Sequence, residues 1–294
     1  MILDERKAAS SVTYSIKYAN VNGTRLAYEE SGTGQPVIFV HGALGDYRTW
    51  LPQSISLSKY YKVITYSRRY HHPNERTGDG SDYSRELHTE DLAAFIHFLG
   101  LGPVHLVGHS YGGSLAALVA MKYPELVGTI VLGEPSIFAV LQSPEDLSLL
   151  SEQQQSLNCV LRLAREGEEE ERAVREFLKT VVGEDVFDSL PDAARSVVTD
   201  NSHTLAPMLR TYYELTPFDC EQAQSLKAPI LLIRGELSPR INRQIAYRLN
   251  RCLPRSERFI LPCASHGLQI ERPDEFNQAV LEFLVKNYTW VLTG

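Results

Sequence analysis

Short apolar runs alternate with helical patterns through the first half of the chain. Residues 15–21 and 24–30 read as two strands joined at Asn22-Gly23, a dipeptide suited to the positive-φ positions of a tight hairpin. Pro36–Val40, Lys62–Tyr66, 104–107 and 129–132 read as short buried strands. Between them, residues 84–99 carry helical spacing through Leu87, Leu92, Phe95, Ile96 and Leu99, and Gly100 and Gly102 end it. Residues 112–122 predict a second helix, apolar on most sides and therefore buried. Strands alternating with helices argue for a mostly parallel sheet covered on both faces.

From about residue 135 to 228 this rhythm stops. Only helical stretches occur, at 147–165, 168–182, 192–201 and 204–214, and the composition shifts toward Glu, Gln and Arg. This predicts an all-helical insertion, with the acidic run 168–171 as a solvated face. The strand–helix rhythm resumes with strands at 229–233 and 258–261 and helices at Arg240–Cys252 and Pro273–Lys286. The core is thus expected at 1–134 and 229–294, with the insertion at 135–228.

The 294 residues are enough for one core plus an insertion. A net charge of −7 makes a poor polyphosphate binder, so no nucleic-acid partner is expected. The longest apolar run, 115–121, is too short for a membrane span. The charged first residues carry no apolar signal core, which reads as cytoplasmic. The four cysteines, Cys159, Cys220, Cys252 and Cys263, form no CxxC pair. In a cytoplasmic chain they are expected as reduced thiols, and no metal site is expected.

The chemistry gathers at VHLVGHSYGG, residues 104–113. A strand runs into Gly108-His109-Ser110-Tyr111-Gly112 and then a helix, the strand–turn–helix setting of a G-x-S-x-G nucleophile elbow. Ser110 is the candidate nucleophile. The helix N-terminus beneath it favours developing negative charge. His41-Gly42-Ala43, after strand Pro36–Val40, offers a backbone N–H for an oxyanion hole, paired with that of Tyr111. Of nine histidines, His266 lies in a late loop after a strand and fits the chain order serine, acid, histidine. His109, next to the nucleophile, should point elsewhere.

With these segments in place, the chain resembles the α/β-hydrolase fold superfamily over nearly its whole length. IFVHGALGDYRTW, VGHSYGG and ASHGLQIERPDEFNQAVLEFL fall where that fold puts its oxyanion loop, elbow and histidine loop. The resemblance implies an eight-stranded, mostly parallel sheet flanked by helices, with a helical cap inserted after strand six. It also exposes two departures. The acid usually follows strand seven, three residues after a glycine, but that position holds Ser238. Some relatives place the acid after strand six instead, which makes Glu134 the candidate, with Glu236 and Asp219 in reserve. After strand four, Ser67-Arg68-Arg69-Tyr70-His71-His72-Pro73 replaces an Asp-x-Arg-Gly-type segment. There Arg68 is expected to brace loops, and His71 and His72 to lie on the loop surface.

The resulting expectation is a carboxylesterase-like serine hydrolase. Ser110, His266 and Glu134 would be catalytic, and the N–H groups of Ala43 and Tyr111 would stabilise the oxyanion. No cofactor and no metal are called for. The partner would be a small organic substrate with an ester-like bond: ester, lactone or thioester. Phe138, Leu141, Leu205, Met208, Tyr212 and Tyr213 would line its pocket. A serine at the elbow excludes the aspartate-dependent haloalkane dehalogenases and epoxide hydrolases. Two alternatives stay open: acid–base chemistry such as C–C cleavage, lyase or cyclisation on the same residues, and a receptor that does not turn over.

Overall fold

A computed structural model describes residues 15–76, 78–166, 170–183, 186–212, 218–253 and 255–287. Its centre is one eight-stranded sheet in the order β1-β2-β4-β3-β5-β6-β7-β8. The strands are β1 Lys17–Val21, β2 Thr24–Ser31, β3 Pro36–Val40, β4 Lys62–Tyr66, β5 Val104–His109, β6 Val127–Gly133, β7 Ile230–Gly235 and β8 Glu257–Leu261. β2 pairs antiparallel with β1 and with β4, and every other neighbour is parallel. Asn22 and Gly23 do take positive φ, 44° and 72°, at the β1–β2 turn.

Side chains alternate between the faces, as a period of two requires. Ile38 and Val40 join one apolar cluster, and Val37 and Phe39 the other. Helices α2 (Arg85–Leu99), α3 (Tyr111–Lys122) and α9 (Arg240–Cys252) cover the first face. The second face is covered by α1 (Leu51–Leu57) and α11 (Pro273–Lys286) through Leu57, Phe276, Val280 and Leu284. All residues of β5 and β6 are buried, so the sheet's central strands end beneath covered ground.

Among the described residues between β6 and β7, the regular elements are helices: α4 Pro144–Glu166, α5 Glu170–Val182, α6 Asp192–Asp200, α7 Leu205–Thr211 and α8 Cys220–Gln224, with short 3-10 turns. Ties along its length fasten this stretch to the core. Asn201 Nδ2 donates to Asp46 Oδ2 at 2.8 Å. Buried Asp146 meets Arg248 of α9 at 2.8 Å, and donors from Gln244, Ser143 and Arg248 outweigh burial and hold its carboxyl down at about 2. Cys220 and Cys252 are disulfide-bonded, joining α8 to α9. That bond corrects the expectation of four reduced thiols; Cys159 and Cys263 are free and exposed. Of the acidic run, Glu170 and Glu171 are exposed, while 168 and 169 lie outside the described residues. Among the described residues no helix is long and apolar enough to cross a membrane.

Candidate active site

Ser110 sits between β5 and α3 with φ 52° and ψ −117°, a conformation an L-residue holds only when its surroundings enforce it. The turn is clamped on both sides. Ser110 N donates to Gly133 O at 2.9 Å, and Ser136 N donates to Ser110 O at 3.1 Å. Gly112 is required by close approach: a Cβ there would strike the carbonyls of Val40 and His41 at the end of β3. The elbow is therefore wedged against the loop that should supply the second oxyanion donor. Tyr111 begins α3, so its N–H has no acceptor within the helix. Ala43 lies half-buried in the loop after β3, just before Leu44 at φ 53°.

A buried network fixes that loop. Arg68 N donates to His41 Nε2 at 3.0 Å, which leaves the ring proton on Nδ1, facing Gly42 O at 2.9 Å. Arg68 Nη2 donates to Gly42 O at 2.9 Å, and Nη1 to Tyr83 Oη at 3.0 Å. His71 Nδ1 faces Gly45 O at 2.7 Å. Burial, then the Arg68 charge, pushes His41 and His71 well below the usual histidine range, so both stay neutral. Arg68 does brace loops, as its position suggested, but from inside, at 1% exposure. His71 is fully buried, which corrects its assignment to the loop surface; His72 is half-buried. The signal that could have found His71 is the pair Arg68 and Tyr83, polar groups that need partners once the strand ends bury them.

On the far side of Ser110, the loop after β8 carries His266, 7% exposed. Its Nδ1 lies 2.7 Å from Glu134 Oε2. Glu134, 3% exposed with φ 44°, follows β6. Its other oxygen accepts from Gly235 N at 2.9 Å and from Ser238 Oγ. The residue standing where an aspartate is usual thus donates to the glutamate that meets the histidine. Glu236 accepts from Cys263 N and Asp219 caps α8, so neither reserve residue faces His266. His109 does not point away from the site: its Nε2 lies 2.8 Å from His266 O and its ring 4.8 Å from the His266 ring. Burial, with His266 adjacent, drives His109 down to about 3, so it is neutral and its Nε2–H holds the His266 loop.

Sequence reasoning gave no role to Asn242. Its side-chain Nδ2 lies 2.8 Å from His266 Nδ1, the nitrogen that faces Glu134. One ring nitrogen cannot donate to the carboxylate and accept from an amide at once. The carboxylate is the stronger partner for an N–H and selects the tautomer with Nε2 free to take a proton.

Of the residues expected to line a pocket, Phe138, Leu141, Leu205, Met208 and Tyr212 are all buried. Phe138 and Tyr212 pack ring to ring at 5.3 Å. Tyr213 lies outside the described residues. Among the described residues no group of three or more His, Cys, Asp or Glu is placed to hold a metal ion.

A profile of the alpha/beta hydrolase fold matches residues 35–273. The chain is 24% identical to a 2-hydroxy-6-oxo-6-(2'-aminophenyl)hexa-2,4-dienoic acid hydrolase of Metapseudomonas resinovorans, covering 94% of this chain and 92% of that one. It is 28% identical to a 2-hydroxy-6-oxononadienedioate/2-hydroxy-6-oxononatrienedioate hydrolase of Burkholderia vietnamiensis, covering 91% and 95%. Among solved structures, the enol-lactonase of Burkholderia xenovorans LB400 superposes with a TM-score of 0.74 at 23% identity, covering 92% of this chain and 100% of that one. This last likeness is one of fold.

Proposed function

This chain belongs to the α/β-hydrolase fold family, and we propose that within it the protein is a serine hydrolase cleaving an ester-like bond of a small organic substrate. The observation that carries this reading is the pairing of a strained Ser110 at the elbow with a His266 whose Nδ1 faces Glu134. In this proposal Ser110 Oγ attacks the substrate carbonyl while His266 Nε2 takes its proton. Glu134 holds the ring tautomer and offsets the imidazolium charge. The N–H groups of Ala43 and Tyr111 receive the developing oxyanion, and removal of one such donor typically costs about 10²–10³ in rate. His266 then delivers its proton to the leaving group, and water releases the acyl-enzyme by the same route in reverse. The chemistry uses only side chains and backbone N–H groups. The helices between β6 and β7 serve as the cap, with Phe138, Leu141, Leu205, Met208 and Tyr212 as pocket walls.

The names of the two curated relatives favour one second reading. They act on 2-hydroxy-6-oxo acids, which are ketones rather than esters, and the same three side chains could serve such a carbonyl as acid and base. The experiment is fluorophosphonate labelling followed by a panel of esters, lactones and thioesters. Wild type should label at Ser110 and turn over at least one of them. Ser110→Ala should lose the label and nearly all hydrolysis while its circular dichroism is unchanged. Activity surviving in that variant sinks the covalent mechanism. A cytoplasmic location is part of the proposal. Fractionation of cells that make the protein tests it: recovery with a cytosolic marker is the expected result, and recovery in a secreted, periplasmic or membrane fraction overturns it.

A further inference from the structure

The ring of Tyr111 lies between two guanidiniums. Arg68 Cζ stands 4.7 Å from its centroid and Arg85 Cζ 4.8 Å. Both arginines are buried, at 1% and 5% exposure. Among the described residues no carboxylate pairs with either, whereas neighbouring Arg69 has Asp91 at 2.7 Å. The partners that both do have are neutral: the Tyr111 ring, Gly42 O, Tyr83 Oη and Tyr212 O. His41, His71 and His88, the histidines of this region, are held neutral by burial and by Arg68 itself. A buried ion without a counter-ion is costly even after relaxation, so a chain that keeps two in one place has a use for positive charge there.

The two arginines are not equally committed. Arg68 is occupied in holding Gly42 and Tyr83. Arg85 makes one short bond, Nη1 to Tyr212 O at 2.7 Å. Its remaining approaches, to Thr211 O, Ser136 Oγ and Ser114 Oγ, are 3.4–3.5 Å, at the edge of hydrogen-bonding range. Tyr111 Oη is buried and has no hydrogen-bond partner among the described residues. Ser136, 7% exposed, places its hydroxyl beside Arg85 Nη2, and its backbone N–H is the one that clamps Ser110. The under-used donors of Arg85 and the Ser136 hydroxyl thus stand by the ring of the residue after Ser110, beside the aromatic faces of Phe138 and Tyr212, at 6.0 and 5.5 Å from Arg85 Cζ.

We propose that Arg85, with Tyr111 Oη and Ser136 Oγ, forms a subsite for a carboxylate on the acyl part of the substrate. The protein is then a hydrolase of half-esters of dicarboxylic acids and their like. This inference rests on the serine-hydrolase reading and narrows it. A carboxylate supplies the planar, two-oxygen partner that a guanidinium fork fits. It would also neutralise one of the two charges that pair with no carboxylate among the described residues. Arg85 has a plainer role available, as a tie to the helical insertion through Tyr212 O, and the test separates the two.

The test compares para-nitrophenyl hemiglutarate with para-nitrophenyl hexanoate, esters of similar length that differ in the terminal charge. Wild type should prefer the hemiester in kcat/KM by about tenfold or more, the scale of a hydrogen bond to a charged group. Arg85→Met should collapse that ratio to one or below. Arg85→Lys, with charge but no fork, should keep part of it, and Tyr111→Phe should lower it while keeping its backbone N–H. A wild-type ratio at or below one overturns the subsite. So does an Arg85→Met protein that loses both rates in proportion, which is what a tie to the insertion predicts. Calorimetry with glutarate reads the subsite without turnover: binding in wild type, lost in Arg85→Met, is the expected result, and no binding in wild type overturns the inference. If the fluorophosphonate fails to label Ser110 while glutarate binds in an Arg85-dependent way, the hydrolase reading fails and the anion subsite stands.

Discussion

The two sides of Ser110 are built on different principles. On the oxyanion side, loop 41–45 is fixed by a network of neutral histidines around a cation, Arg68, that pairs with no carboxylate among the described residues. On the acid side, one carboxylate, Glu134, gathers Gly235 N, Ser238 Oγ and His266 Nδ1. The first side offers positive charge and N–H groups where an oxyanion would form. The second offers negative charge where an imidazolium would form. Charges of opposite sign are kept on opposite sides of the nucleophile, and the strained elbow lies between them. Each side can be broken without removing the other, which gives the comparison its tests.

The largest effect is expected on the acid side. In Glu134→Gln the amide oxygen can still accept from Gly235 N and Ser238. Its NH₂ would then face His266 Nδ1 and reverse the tautomer that the carboxylate selects. A wrong tautomer leaves Nε2 protonated and unable to take the Ser110 proton, a loss of about 10⁴ in kcat in serine hydrolysis. KM should change little. Steady-state kinetics on any ester found by the panel decides this; kcat within tenfold of wild type would show that Glu134 only packs. Ser238→Asp in the same variant returns a carboxylate to the commoner position beside residue 134, and should restore part of the loss.

The oxyanion side should prove less costly to break. Arg68→Met removes the donors to Gly42 O and Tyr83 Oη while keeping an apolar stem. With Gly42 loosened, the Ala43 N–H loses its aim, and one misplaced oxyanion donor is worth about 10²–10³ in kcat. Affinity for a boronic acid that mimics the tetrahedral adduct should fall by the same factor, and affinity for the neutral ester much less. Equal loss of both would mean that Arg68 supports the fold alone.

How much of this was legible follows from sequence distance. β3 and β4 were read at their observed bounds, and α9 and α11 likewise, because periodicity and end signals are local. The elbow was legible for the same reason: residues 108–112 must turn sharply and only small neighbours permit it. The acid side was legible only through the resemblance: the family's usual aspartate position holds Ser238, and relatives with the acid after strand six point to Glu134, with Glu236 and Asp219 left open. What Ser238 does was not legible, since its partner lies 104 positions away. The place of Asn242 was not legible, because nothing in a helix sequence says that one polar position faces a histidine 24 residues on. The Cys220–Cys252 pair was missed because the charged N-terminus argued for reduced thiols. His71 was misplaced because His-His-Pro in a polar stretch looks like surface, and only the fold wraps Arg68 and Tyr83 around it.

Acid stability sharpens the comparison, since both sides keep histidines neutral. His41, His71 and His88 on one side and His109 on the other are pushed down, His109 to about 3, and His105 in the sheet to about 4, in each case chiefly by burial. The unfolded chain binds protons at these rings near the ordinary value of about 6.5, before the folded chain does. Their contribution to stability is therefore fully present above that value. It is lost as pH falls from there through the folded values, by about 1.4 kcal/mol per pH unit for each ring. Thermal unfolding midpoints measured from pH 7 down to 4 should drop steeply. His105→Gln, which can keep bonds to Thr129 and Gln35 without a titrating ring, should flatten the slope by one proton. A midpoint independent of pH across that range contradicts the buried-neutral reading.

The smallest expected effect is at Asn242, and its sign carries the information. Asn242 Nδ2 and Glu134 Oε2 compete for one nitrogen, at 2.8 and 2.7 Å. When the amide donates, Nδ1 is bare, the proton sits on Nε2, and the ring cannot act as a base. When the carboxylate accepts, Nε2 is free. Removing the amide should thus raise the fraction of competent ring. A neutral hydrogen bond at the weak end is worth about 0.5 kcal/mol, or roughly twofold. Because the carboxylate already selects the competent tautomer, Asn242→Ala should raise kcat by no more than about that factor, with KM unchanged, and should abolish any ring signal attributable to the Nε2–H tautomer in ¹⁵N spectra of the resting protein. A tenfold fall in kcat would reverse the assignment. Asn242 would then be turned so that its carbonyl oxygen accepts from Nδ1–H alongside Glu134, and it would belong with Ser238 and Gly235 among the groups that support the acid side.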